Sequence, residues 1–264
     1  MAVTPVDLSV TNITATSVRL NWVAGALNPL QALINSLFGA SEQGEIHIPK
    51  PIVLGIQALF QDAAGTVPVT ADGDPVGKMI DQSGNGNHAT QEVSVRRPVY
   101  RTDGTLHWLQ GNGINSRLLS PLISGQNDVM AVSAKVKNDG GVFLAASADP
   151  PRWYMQGHTS DQVRFGIGAD LYLTGVDAST EPNVFIIQST FDGITNSAYL
   201  RFAGNEASLN GAGAIGEGGY TLFGSSNFNA ESSIYGVVLL SSSTTTENLL
   251  AIESYLASLS GVTL

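Results

Sequence analysis

From Val129 onward the chain is written in short runs of β-branched, aromatic and small apolar residues separated by Gly, Asn or Asp, and this rhythm constrains the fold more than any other feature. The runs fall at residues 129–136, 141–146, 163–167, 184–190, 198–202, 220–223 and 234–240. Asp192-Gly193 and Ala203-Gly204-Asn205 supply the turn residues that hairpins between them require. Short strands at regular spacing, with no helices alternating between them, imply an antiparallel sandwich or barrel. One helix closes the chain. Thr244-Thr-Thr-Glu247 reads as a capping box, and Leu249, Leu250, Ile252, Tyr255, Leu256 and Leu259 before Gly261 predict a helix over 246–259.

Composition agrees. Only 13% of the residues are charged, too few to clothe the wet faces of many surface helices. The net charge of -10 is spread without an acidic run, which argues against phosphate backbones and anionic lipid, so no nucleic-acid partner is expected. No apolar run approaches the ~18 residues of a membrane span, so no membrane insertion is expected. The first basic residue is Arg19, so the N-terminus does not read as a secretory signal. Cysteine is absent, which excludes disulfides and thiolate metal sites.

The first fifty residues differ in character. Residues 6–22 read as a β-ribbon in which Val18, Leu20 and Trp22 alternate with Arg19 and Asn21; it resembles the opening strands of a fibronectin type III domain, whose remaining strands are missing here. In residues 28–38, Pro29 takes a first helical position, and Leu30, Leu33, Ile34, Leu37 and Phe38 recur at helical spacing before Gly39. That stripe either covers the end of the sandwich or docks on another subunit. A connector with Pro49 and Pro51 follows, near a strand at 45–48. The chain therefore divides into an extension, 1–50, and a β-sandwich domain, 51–264. Val18, Leu20, Trp22, Leu30, Leu33, Ile34, Leu37 and Phe38 are the candidate assembly interface.

The most distinctive wording lies between these parts: Asp72-Gly-Asp-Pro-Val-Gly77, Asp81-Gln-Ser-Gly-Asn-Gly-Asn-His-Ala89, Arg97-Pro-Val-Tyr100, and later Ile252-Glu-Ser-Tyr-Leu-Ala257. This set resembles a segment of laminin-G-like, concanavalin A-like jelly rolls found in virion proteins of tailed bacteriophages, over about residues 59–264. Gln110-Gly-Asn-Gly113 departs from the usual turn of that family, and residues 45–55 lack its upstream aromatic motif. The resemblance implies an all-β jelly-roll sandwich with a β-ribbon and helix before it and a helix after it. It also implies a virion location such as capsid decoration, head fibre or tail fibre, with other virion proteins and further copies of the chain as partners.

Three kinds of site are open to such a domain. Asp72, Asp74, Asp81, Asn85 and Asn87 offer the hard oxygens that calcium takes, although Asp and Asn in Gly-rich loops more often form Asx turns. Trp153, Tyr154 and His158, beside Pro150-Pro151, are candidates for stacking on host surface glycans, although Trp153 suits a core equally well. Glycoside hydrolysis needs two carboxylates held a few ångströms apart, and Glu206, Glu217 and Glu231 fall in predicted turns. No Gly-x-Ser-x-Gly elbow accompanies His47, His88, His107 or His158. The expectation is a non-enzymatic virion structural protein, with receptor-glycan binding as the alternative; no cofactor is required.

Overall fold

The computed structural model describes residues 27–39, 42–121, 123, 129–137, 140–146, 153–158, 162–167, 169–174, 178–191, 196–202, 205–210, 219–224 and 229–264. The ribbon carrying Val18, Leu20 and Trp22 lies outside them. Two antiparallel sheets form the sandwich that the strand rhythm predicts. The first runs in the order Asn205–Asn210, Asn196–Phe202, Asn183–Phe191, Val129–Val136, Ser232–Leu240, His107–Gln110, Val99–Thr102. The second runs Ala169–Thr174, Gln162–Ile167, Trp153–His158, Val142–Ala146, Tyr220–Leu222, Leu118–Leu119, Ala89–Thr90, Lys78–Met79, Leu59–Phe60.

The inner faces meet in one core that includes Phe143, Phe165, Phe185, Leu222, Val237 and Trp153. Ser232–Leu240 is buried at every position, which a strand with one wet face cannot be. The outer face of the first sheet is therefore also covered. Two helices cover it: α1 (Pro29–Leu37), capped by the Asn28 side chain, and α2 (Thr246–Ser260). Leu249, Ile252 and Leu256 of α2 and Leu30, Leu33, Ile34 and Leu37 of α1 join Ala131, Ile186, Val238 and Leu240 in a second core. Each such side chain gains on the order of 1.5–3 kcal/mol by leaving water.

This corrects the expected use of the α1 stripe. Leu30, Leu33, Ile34 and Leu37, with Phe38 partly buried beside them, are occupied within their own chain, because the outer face of the first sheet requires a cover. The cover lies over that face, not over the end of the sandwich. The boundary at residue 50 moves as well. Strand Glu45–His47 pairs with Val237–Leu239 of Ser232–Leu240, on the edge it shares with His107–Gln110, so residues 27–50 belong to the sandwich and their removal would strip a sheet edge and a helix. The α2 cap is Thr245, whose Oγ1 accepts from Asn248 N; the capping box read at Thr244 is displaced by one residue. Gly261 ends the helix at φ 72°, the left-handed conformation that a glycine adopts without strain.

Candidate functional site

The second sheet holds the first candidate. Along Trp153–His158 side chains alternate: Trp153 and Met155 enter the core, and Tyr154 and Gln156 take the opposite face. Trp153 is thus a core residue, since its large apolar surface fills the space between sheets, and it leaves the candidate sugar-binding set. His158 pairs with Gln162 through the backbone, and its side chain lies outside the description. Tyr154 remains. It sits opposite Gly166, where an added Cβ would collide with the Tyr154 ring, so the ring lies across the bare glycine backbone. The Arg164 guanidinium stands 5.2 Å from the ring centroid, and its Nη1 donates to Gln156 Oε1 at 3.2 Å. Gln156 Nε2 in turn donates to the Gly140 carbonyl. A half-buried aromatic face thus stands beside a guanidinium and an amide, an arrangement that offers an apolar platform and directed donors together.

The second candidate lies inside. Ile46 packs under the helices, so by alternation Glu45 and His47 point between the sheets. Both are fully buried. His47 Nδ1 is 2.6 Å from the Tyr220 hydroxyl and 3.8 Å from Glu45 Oε2. Among the described residues, neither Glu45 carboxyl oxygen nor His47 Nε2 makes a hydrogen bond, and the Ser120 hydroxyl stands outside hydrogen-bond geometry to Glu45. Burial pushes the Glu45 carboxyl well above the usual carboxylate range, and the Asp81 charge adds to this. Burial brings His47 down to about 4, against the opposing pull of Asp81. Burial thus favours the neutral form of both Glu45 and His47, which argues against a charged pair at 3.8 Å, and His47 Nδ1 shares one hydrogen bond with the Tyr220 hydroxyl.

The Asp81–Ala89 motif closes this cluster. Asp81 Oδ1 accepts from Ile46 N and Ser83 N, and Oδ2 from Ser83 Oγ and Asn87 N. The Asn85 amide donates to the Glu42 and Gly44 carbonyls, and the Asn87 amide to those of Gln43 and Gly44. The loop is thus a clamp on residues 42–46. Gly44 is required there, since a Cβ would collide with the Leu239 carbonyl. Asp72 is elsewhere, bound to Arg101 Nη1 and Thr102 N, and Asp74 accepts from Thr70 N and Ala71 N. The five calcium candidates therefore divide between two loops, and the Asn side chains present donors rather than oxygens to their neighbours. Among the described residues no group of three or more His, Asp or Glu is placed to hold a metal. Asp81→Ala would leave the buried Ile46 N–H without an acceptor; a loss of about 3 kcal/mol is expected, read by urea unfolding, with exchange protection lost at the Ile46 amide.

Sequence reasoning missed Arg164, Gln156 and Gly166. The signal for Gln156 was the alternation of Trp153-Tyr-Met-Gln156, and for Arg164 and Gly166 that of Val163-Arg-Phe-Gly-Ile167, each read as a strand with two faces. His107 pairs with the Tyr100 hydroxyl at 2.6 Å, and His88 Nδ1 accepts from Asp81 N; among the described residues neither joins a nucleophile.

The chain matches no protein-family model and no curated protein sequence. It is similar in structure to Trypanosoma rangeli sialidase in complex with sialic acid, at 14% identity and TM-score 0.51, over 85% of this chain and 37% of that one. It is similar also to an arabinofuranosidase complexed with arabinofuranosyl-alpha-1,2-xylobiose, at 11% identity and TM-score 0.50, over 70% of this chain and 51% of that one. The chain thus spans between about a third and a half of these proteins. At such identity the likeness shows the fold alone. It nevertheless overturns the expectation of a protein that is not an enzyme: glycoside hydrolases contain this sandwich, so the fold gives no ground for excluding their chemistry. Neither comparison shows a virion-protein family.

Proposed function

We propose that the chain is a carbohydrate-recognising β-sandwich carried on a tailed-phage particle, with Tyr154, Arg164 and Gln156 at the centre of the sugar face. The observation that carries the sugar-binding part is the Tyr154 ring lying across Gly166 beside the Arg164 guanidinium. An aromatic face stacks on the apolar side of a pyranose or furanose, and guanidinium and amide donors serve its hydroxyl or carboxylate oxygens. The carbohydrate-active neighbours of like fold support this reading. The particle setting rests on the resemblance of residues 72–77, 81–89, 97–100 and 252–257 to phage jelly rolls.

A panel that includes sialylated glycans and arabinofuranosyl-substituted xylan, the sugar types of the two neighbours, tests the first part. Saturable binding to at least one member is expected, and binding to none would sink the sugar reading. Mass spectrometry of purified particles tests the second, through the copy number of the chain relative to the major capsid protein. Absence from particles would remove the phage setting without touching the sugar face.

A further inference from the structure

The described residues between 27 and 53 form an arm held by the 81–87 loop and by partners far along the chain. Glu45–His47 pairs with Val237–Leu239, the Glu42 carboxylate accepts from Ser241 N and from the Ser241 and Ser242 hydroxyls, and α1 packs on α2. None of these contacts depends on the residues that link arm to body. The link is a two-residue hairpin in which Ile52–Val53 pairs with Ile56–Gln57 around Leu54 and Gly55. Both central residues have positive φ, 49° at Leu54 and 80° at Gly55. Such a turn suits Asn-Gly; a branched aliphatic residue in the left-handed region is strained. The hairpin also exposes Ile52 by 49%, Leu54 by 42% and Ile56 by 64%. Before it stand Pro49 and Pro51, which stiffen the approach and favour an extended path.

We propose that the chain assembles by exchanging residues 27–53 between copies, the Leu54–Gly55 turn opening so that strand Glu45–His47 and α1 of one copy complete the first sheet of another. In the opened state residues 52–57 of two copies run antiparallel, and the pairs Ile52 with Gln57 and Val53 with Ile56 form between copies instead of within one. The Leu54 strain disappears. Ile52, Leu54 and Ile56 fall on one face of the extended strand, beside Val53 of the other copy. The cluster at Tyr220 then receives its Glu45 and His47 from the second copy, and the α1 stripe becomes an interface between subunits. The occupant of the exposed hairpin is thus a second copy of the same hairpin. This inference goes beyond the sugar reading and is independent of it.

The absence of native cysteine makes the test clean. Gln43 N lies 3.1 Å from Ser241 Oγ, and continuing the register places residue 43 opposite residue 241. The full-length Gln43→Cys/Ser241→Cys chain is purified, its oligomer fraction isolated and oxidised, and the product run on a denaturing gel without reductant. Exchange gives covalent dimers or larger species. A solely intramolecular bond, or a chain that is monomeric at every concentration, overturns the proposal. Leu54→Asn creates the preferred Asn-Gly turn and keeps the fold; it is expected to lower the oligomer-to-monomer ratio about tenfold. An unchanged ratio also counts against exchange.

Discussion

Replacing Arg201 with methionine is expected to destabilise the domain by about 3–5 kcal/mol, the largest loss foreseen for any single substitution considered. Arg201 lies on Asn196–Phe202, and its Nε reaches Glu253 Oε2 of α2 at 2.5 Å. The Glu253 side chain is only 2% exposed, so removing the guanidinium takes its charged partner from a carboxylate held away from water under the helix. Glu206, the other acid on Arg201, is half exposed and would return to solvent at little cost. The partner experiment separates charge from packing. In Arg201→Met/Glu253→Leu the stranded charge is gone, and stability should return to within about 1 kcal/mol of the parent. Thermal unfolding reads both: a fall of roughly 10 °C for the single variant, mostly recovered in the double. A single variant with unchanged melting would show that the pair contributes nothing.

The second large effect is a hidden dependence on pH. In the unfolded chain near about pH 5.5, Glu45 is ionised and His47 protonated. In the folded chain burial favours the neutral form of both, raising the Glu45 pKa and lowering that of His47 to about 4. Folding then favours proton uptake at Glu45 and proton release at His47. Above about pH 4.5 and below about 6.5 the two slopes oppose each other, so the parent shows less pH dependence from this pair than either group alone would give. Glu45→Gln removes one slope. The folded state then binds fewer protons than the unfolded state between pH 6.5 and about 4, so stability falls as the pH falls, by about 3 kcal/mol across the window. His47→Gln has the opposite sign. Glu45 alone keeps its proton in the fold, so stability falls as the pH rises above about 4.5 toward its raised folded pKa. Urea unfolding at several pH values distinguishes this from a buried ion pair, for which both single variants would be strongly destabilised at every pH.

The strands at 129–136, 184–190 and 234–240 were legible because both their faces are buried, which writes a nearly continuous apolar run into the sequence. Trp153–His158 was not, because its outward Tyr154 and Gln156 dilute the apolar signal and Pro150-Pro151 reads as a loop. Strand Asn205–Asn210 was not legible, since an outer strand that begins at the Ala203-Gly204-Asn205 turn and carries Glu206 at an exposed position lacks the apolar pattern. The α1 stripe showed that something must be covered but not which surface. Its target, the outer face of the first sheet, is assembled from Ile46 and from residues more than ninety positions away. The loop at Asp81 was legible as a set of turns, with Gly84 and Gly86 at positive φ, but its grip on residues 42–46 is a tertiary fact. Alternation puts Arg164 and Gln156 on the side of their strands away from the core, but nothing local tells whether such a residue borders a binding surface.

The sugar face is the centre of the account, and calorimetric titration of the best glycan from the panel into the parent and the Tyr154→Ala chain tests it most directly. The aromatic contact is worth roughly 1.4 kcal/mol, so affinity should weaken about tenfold or more while the chain stays folded at the titration temperature. Equal affinity in the two chains would place the sugar elsewhere and contradict the assignment.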